Sequence, residues 1–122
     1  NPLKDPNNIL SKRNIYFDYD SDAVKAEYRS IIDAHAKYML ANANAKMILQ
    51  GNTDERGTRE YNISLSARRA TNTRNFLISQ GVKGSRVASI AYGKERPAQL
   101  CDAEECWSQN RRAVTVITGG AN

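Results

Sequence analysis

The chemically densest stretch of this sequence is the segment 53–58, which reads Thr-Asp-Glu-Arg-Gly-Thr and precedes a helical pattern. Asp54 lies just before that helix, and Leu65 and Arg69 lie within it, four residues apart. Residues at this spacing share one face of a helix, so a ligand above that face would meet an apolar and a cationic side chain. An ammonium group could pair with Asp54 while a carboxylate of the same ligand forms a two-pronged hydrogen bond with Arg69. The pattern therefore predicts a site for a zwitterionic ligand.

Spacing alone leaves a structural interpretation of the same charges open. In that interpretation Asp54 caps a turn, and Arg68 and Arg69 are a solvated pair on the helix surface. The pair Arg111 and Arg112, before the last predicted strand, is equally ambiguous, and we expect a structural role for at least one of them. The residues around these charges must decide between the two interpretations.

Motifs of common enzymes are absent from the sequence, which has no Gly-x-Ser-x-Gly elbow, no P-loop and no His-Glu-x-x-His. The only histidine, His35, lies among the apolar positions of a predicted helix, which favours a hydrogen-bonded core residue over a catalyst. Asp18, Asp20 and Asp54 could form an acid-base pair, but nothing in their spacing favours that over ion pairing. We therefore expect no enzymatic activity, no cofactor and no metal ion.

The length and composition are typical of one compact domain, and the positive net charge suggests an anionic partner. The chain has 122 residues, a net charge of +5 and a pI of about 9.4. Lys and Arg are interspersed with Asp and Glu and form no block typical of a basic arm, so we do not expect nucleic acid as a partner. Cys101 and Cys106 lie five residues apart and could close a loop in an oxidising compartment, with free thiols as the alternative.

The hydrophobic pattern places these residues on strands and helices. Residues 1–13 are expected to form a flexible N-terminal tether and 119–122 a C-terminal tail. The polar cluster at 20–22 is suited to capping the first helix, whose apolar face begins at Val24. Strands are predicted at 14–19, 47–49, 87–92 and 113–117, helices at about 24–41 and 58–80, and a short turn or helix before the last strand.

This order predicts an α/β (α+β) fold, a strand-helix-strand-helix-strand-strand sandwich with one mixed sheet and helices packed on it, over residues 14–118. Two loops, 18–21 and 53–58, lead from a strand to a helix. Such loops lie at the carboxyl ends of strands, which are common ligand sites. The partial positive charge of the following helix N-terminus favours anionic groups there.

Five ordered segments of the chain carry a family resemblance. They read Gly-Asn-Thr-Asp-Glu-Arg-Gly-Thr at 51–58, Tyr-Asn-Ile-Ser-Leu at 61–65, Arg-Arg-Ala at 68–70, Tyr-Gly-Lys-Glu-Arg-Pro at 92–97 and Asn-Arg-Arg-Ala at 110–113. Together they resemble the OmpA-like peptidoglycan-binding domain, in particular that of the peptidoglycan-associated lipoproteins. The resemblance spans about residues 15–117 and implies the fold of that family.

The resemblance also implies non-covalent binding of the meso-diaminopimelate peptide stem of peptidoglycan. Asp54 and Arg69 match the two positions through which the family binds this stem, whose free end is zwitterionic. The same matching places four further residues in or around the site, namely Tyr19, Asp20, Arg56 and Leu65.

Members of this family link the outer membrane to the cell wall. The resemblance implies the periplasmic face of the outer membrane, a lipid anchor upstream of this chain, and peptidoglycan, TolB and other Tol-Pal components as partners. Alternatives are the wall-binding domain of an outer-membrane porin or a flagellar stator protein and, more distantly, a basic nucleic-acid-binding domain. A periplasmic location favours a disulfide between Cys101 and Cys106, which we expect to be a local stabiliser outside the binding site.

Overall fold

The computed structural model describes residues 1–119, so residues 120–122 of the expected C-terminal tail lie outside the described residues. The strands are β1 (Asn14–Tyr16), β2 (Lys46–Gly51), β3 (Val87–Ala91) and β4 (Arg112–Thr118), and the helices are α1 (Arg29–Ala41), α2 (Arg59–Ser79) and α3 (Glu104–Asn110). The predicted order of strands and helices is confirmed. None of the helices within residues 1–119 is both long and apolar enough to cross a membrane.

The four strands form one mixed sheet in the order β1-β4-β2-β3. β2 and β3 are parallel and are connected through α2, whereas β4 runs antiparallel to both β1 and β2. A parallel pair requires such a crossover because the chain must return to the same end of the sheet. The predicted mixed sheet with helices packed on it is therefore confirmed.

The core lies between one face of the sheet and the two long helices. Along β2, Met47 and Leu49 are buried while Ile48 between them is half-buried, as the alternation of side chains in a strand requires. At the end of β2, a Cβ on Gly51 would overlap the carbonyl oxygen of Ser66 in α2. Glycine at this position therefore lets α2 approach the strand that leads into the 53–58 loop.

His35 belongs to this core, as the sequence predicted. It is 1% exposed, and its Nε2 lies 3.3 Å from the carbonyl oxygen of Leu10. Burial holds the pKa of His35 below its ordinary value, which favours the neutral imidazole. Leu3 and Leu10 of the N-terminal segment pack against the core, whereas the flexibility of residues 1–13 as a tether stays a prediction.

The first helix begins later than predicted. α1 begins at Arg29, after a short 3-10 turn, and has no side-chain N-cap. Asp22 of the predicted capping cluster at 20–22 is bound to α2 instead: its carboxylate pairs with Nε of Arg68 and its carbonyl oxygen accepts from Nδ2 of Asn72, both at 2.9 Å. Because this tertiary pairing holds the cluster against another helix, its predicted role as a helix cap is wrong.

Candidate functional site

A cavity of about 250 Å³ lies where the 53–58 loop meets α2 and the segment that follows β1. All six side chains that the sequence and the resemblance assigned to a site line this one cavity, although they come from three separate parts of the chain. Their role in binding a ligand stays a prediction. The lining residues are Tyr19, Asp20, Thr53, Asp54, Arg56, Gly57, Tyr61, Asn62, Leu65 and Arg69.

Asp54 is a buried carboxylate held by its own loop. Its side chain is 5% exposed. Oδ1 accepts from the backbone N–H and Nε of Arg56 at 3.0 and 3.3 Å, and Oδ2 accepts from Nη2 of the same arginine at 2.7 Å. Burial alone raises the pKa of Asp54, but the hydrogen bonds and charge of Arg56 outweigh it and hold that pKa below the ordinary range. The carboxylate is therefore ionised at neutral pH.

Arg69 is more deeply buried than a surface cation, at 1% exposed. Its Nε, Nη1 and Nη2 donate to the carbonyl oxygens of Ser21, Asn52 and Asp18 at 2.9, 2.9 and 3.1 Å. Burial lowers the pKa of Arg69 to about 10, with the charge of Asp54 acting in the opposite direction, so the group stays protonated at neutral pH. A guanidinium has five N–H donors, so one N–H on each Nη makes no hydrogen bond among the described residues.

The two members of each arginine pair have different environments in the structure. Arg68 is exposed, as the surface interpretation predicted, but that interpretation is wrong for Arg69. Arg112 donates to two backbone carbonyls, which confirms the expected structural role for one member of its pair. Arg111 is 8% exposed, and its Nη1 lies 3.6 Å from Oδ2 of Asp54. Sequence reasoning did not place this third cation beside the site.

Arg56 is held between two aromatic rings. Its Cζ lies 4.0 Å from the ring centroid of Tyr19 and 4.0 Å from that of Trp107. A guanidinium at these distances is attracted by the negative faces of both rings. Trp107 is therefore part of the surroundings of Asp54, and sequence reasoning missed it because nothing in the spacing connects it to a residue 51 positions earlier.

The 53–58 loop has a defined shape fixed by several hydrogen bonds. The backbone N–H of Thr53 donates to the carbonyl oxygen of Gly93 at 2.8 Å, and Nδ2 of Asn62 donates to the carbonyl oxygen of Arg56 at 2.9 Å. Gly57 has φ of +96°, a conformation that side chains disfavour. Thr58 caps α2 through its hydroxyl. The charged groups of the loop are thus held in place before any ligand arrives.

The remaining walls differ in character. Leu65 is 4% exposed and supplies an apolar surface, whereas Tyr19 and Tyr61 are 60% and 42% exposed at the rim. Asp20 adopts a positive φ of 53°, which aspartate tolerates better than most residues. The cavity therefore combines an aromatic rim with carboxylates and guanidinium groups around one apolar wall.

Cys101 and Cys106 form a disulfide, as favoured from the sequence. Within residues 1–119, no group of three His, Cys, Asp or Glu side chains is arranged to hold a metal ion.

The sequence profile of the OmpA family matches residues 16–112. A peptidoglycan-associated lipoprotein of Rhizobium meliloti (strain 1021) is 48% identical over 108 residues, which are 88% of this chain and 61% of that protein. The chain thus spans about 60% of the length of this and other curated relatives that it matches.

Solved structures agree with this assignment. The peptidoglycan-associated lipoprotein from Burkholderia pseudomallei superposes with a TM-score of 0.94 at 42% identity, covering 97% of this chain and all of that one. The C-terminal domain of Helicobacter pylori MotB gives a TM-score of 0.81 at 24% identity, covering 91% of this chain and 88% of that one, and shares the fold. The chain therefore belongs to the OmpA family, with relatives named peptidoglycan-associated lipoproteins.

Proposed function

We propose that the cavity binds the diaminopimelate residue of the peptidoglycan peptide stem without covalent chemistry. The observation that supports this most strongly is the pairing of unused hydrogen-bonding positions on Asp54 and Arg69. A carboxylate has about four acceptor positions, and Arg56 uses three on Asp54. Oδ2 thus retains one hydrogen-bonding position for an ammonium, with Nη1 of Arg111 as an ion-pair partner 3.6 Å away, while Arg69 retains one N–H on each Nη for a carboxylate. The free end of diaminopimelate carries both groups on a single carbon.

A second cavity of similar volume, about 250 Å³, lies beneath the N-terminal segment. Lys4, Arg13 and His35 are among the described residues that line it, and no Asp or Glu is. A zwitterion would find no carboxylate among these residues to pair with its ammonium group. The chemistry of the proposed ligand therefore favours the cavity of Asp54.

Cosedimentation of the domain with purified sacculi tests the proposal. We expect the parent domain to sediment and Asp54→Asn to bind about 10- to 150-fold more weakly, because a charge-assisted contact contributes roughly 1.5–3 kcal/mol. Arg59→Gln is a matched control, since Arg59 pairs with Glu95 on the exposed surface outside the cavity. Equal sedimentation of parent and Asp54→Asn would refute the site. Because we propose binding without catalysis, no soluble fragments should be released.

The names of the relatives support a wider proposal for the full-length protein. We place it on the periplasmic face of the outer membrane, held by a lipid anchor outside this chain, where it links that membrane to the wall. TolB and other Tol-Pal components are its proposed protein partners, and copurification with TolB would test this. The similarity to MotB supports the stator alternative only through the shared fold.

A further inference from the structure

Trp107 connects the disulfide to the cavity. It directly follows Cys106, whose disulfide to Cys101 closes the segment that leads into α3. Its indole Nε1 donates to Oε1 of Glu55 at 2.9 Å, and its ring covers the guanidinium of Arg56. One side chain thus contacts two consecutive residues of the 53–58 loop.

The segment around Trp107 is fixed at both ends. At its start lies the disulfide, in which Cys106 is buried and Cys101 is exposed. At its end, the side chain of Asn110 accepts from the backbone N–H groups of Ala98 and Gln99 at 2.7 and 3.0 Å and donates to the carbonyl oxygen of Gln99 at 3.0 Å. The indole ring is therefore presented to the loop by a braced segment.

We propose that Trp107 is a positioning residue for the Asp54 site and that the Cys101–Cys106 disulfide holds it there. A free arginine side chain samples many rotamers, and ordering it upon binding costs affinity. The guanidinium of Arg56 is already stacked between the rings of Tyr19 and Trp107 before a ligand binds. This stacking orders the Arg56 side chain and keeps it on the carboxylate of Asp54. The disulfide thus acts on the binding site in addition to stabilising its own loop. This inference rests on the proposed function.

Peptide titration by calorimetry tests the role of Trp107. We expect Trp107→Ala to bind a diaminopimelate-containing peptide about 3- to 30-fold more weakly, the range given by a stacked cation. Trp107→Phe keeps a smaller ring over Arg56 and loses the bond to Glu55, so it should recover a large part of the affinity. Tyr92→Ala is the matched control because it removes a similar stack, on Arg96, outside the cavity. The proposal would be overturned if Trp107→Ala bound the peptide as tightly as the parent, or if Trp107→Phe bound it as weakly as Trp107→Ala.

A double-mutant cycle tests the role of the disulfide. The combined variant Cys101→Ser/Cys106→Ser should lose affinity, but its loss should largely disappear when Trp107→Ala is already present, since both changes release the same ring. Fully additive losses would show that the disulfide acts independently of Trp107 and would refute this part.

Trp107 is the only tryptophan, so its fluorescence reports the stack in the ligand-free protein. Emission should change in Arg56→Gln and in the double serine variant, and unchanged emission in both would overturn the proposal. Failure of the parent to bind the peptide would refute the proposed function itself. Binding by the parent with unchanged affinity in Trp107→Ala would refute the positioning role alone.

Discussion

Arg69→Lys keeps the positive charge of α2 but removes the planar group that binds three backbone carbonyls. The single nitrogen of a lysine ammonium cannot reach the carbonyl oxygens of Asp18, Ser21 and Asn52 together. At least one buried carbonyl therefore loses its partner. Each unsatisfied group costs about 1–3 kcal/mol. We therefore expect the free energy of unfolding to fall by about 1–3 kcal/mol or more and the melting temperature by roughly 5 °C or more.

The same substitution removes the two N–H groups available to a ligand carboxylate, so affinity for a diaminopimelate-containing peptide should fall by at least about tenfold. Urea denaturation and calorimetric titration measure the two effects separately. Arg68→Lys is the control at the neighbouring position, where the side chain is exposed, and should change stability by less than about 0.5 kcal/mol. An unfolding free energy and a peptide affinity of Arg69→Lys equal to those of the parent would refute both expected effects.

Two further predictions concern the charge of Asp54 and the packing of Gly51. Because the pKa of Asp54 is lowered in the folded state, its contribution to stability is present above the ordinary value of 3.8 and is lost as the pH falls through the lowered pKa. Asp54→Asn should therefore be about 2 kcal/mol less stable at neutral pH and show a flatter stability profile in acid urea titrations; an unchanged profile would contradict this. Gly51→Ala should destabilise the domain by more than about 2 kcal/mol, because its Cβ would meet the backbone of Ser66. A melting temperature equal to that of the parent would show that α2 can move aside.

Local sequence patterns sufficed for most of the fold. Alternation in β2 and helical periodicity in α1 and α2 depend on neighbouring residues, and Gly81 ends α2 with φ of +103°, as a glycine after a helix commonly does. The start of α1 could not be predicted in this way. Asp22 is of a residue type that commonly caps helices. Its hydrogen bonds to α2 hold it against that helix instead, and no local pattern predicts those bonds.

The site was predictable to the extent that its residues lie in motifs. Asp54 and Arg69 occur in recognisable segments, yet the sequence did not reveal that Arg69 is buried on three carbonyls. Arg111 and Trp107 reach the site only because β4 and α3 fold back beside the 53–58 loop. Contacts between residues so far apart depend on the packing of whole strands and helices, which spacing along the chain does not encode.

We propose that Asp54 and Arg69 together recognise an ammonium and a carboxylate on one carbon. The most direct test is calorimetric titration with two otherwise identical stem peptides, one containing meso-diaminopimelate and the other lysine, which lacks the second carboxylate. We predict that the lysine peptide binds at least about tenfold more weakly to the parent domain. Equal affinity for the two peptides would contradict the proposed recognition of the carboxylate by Arg69.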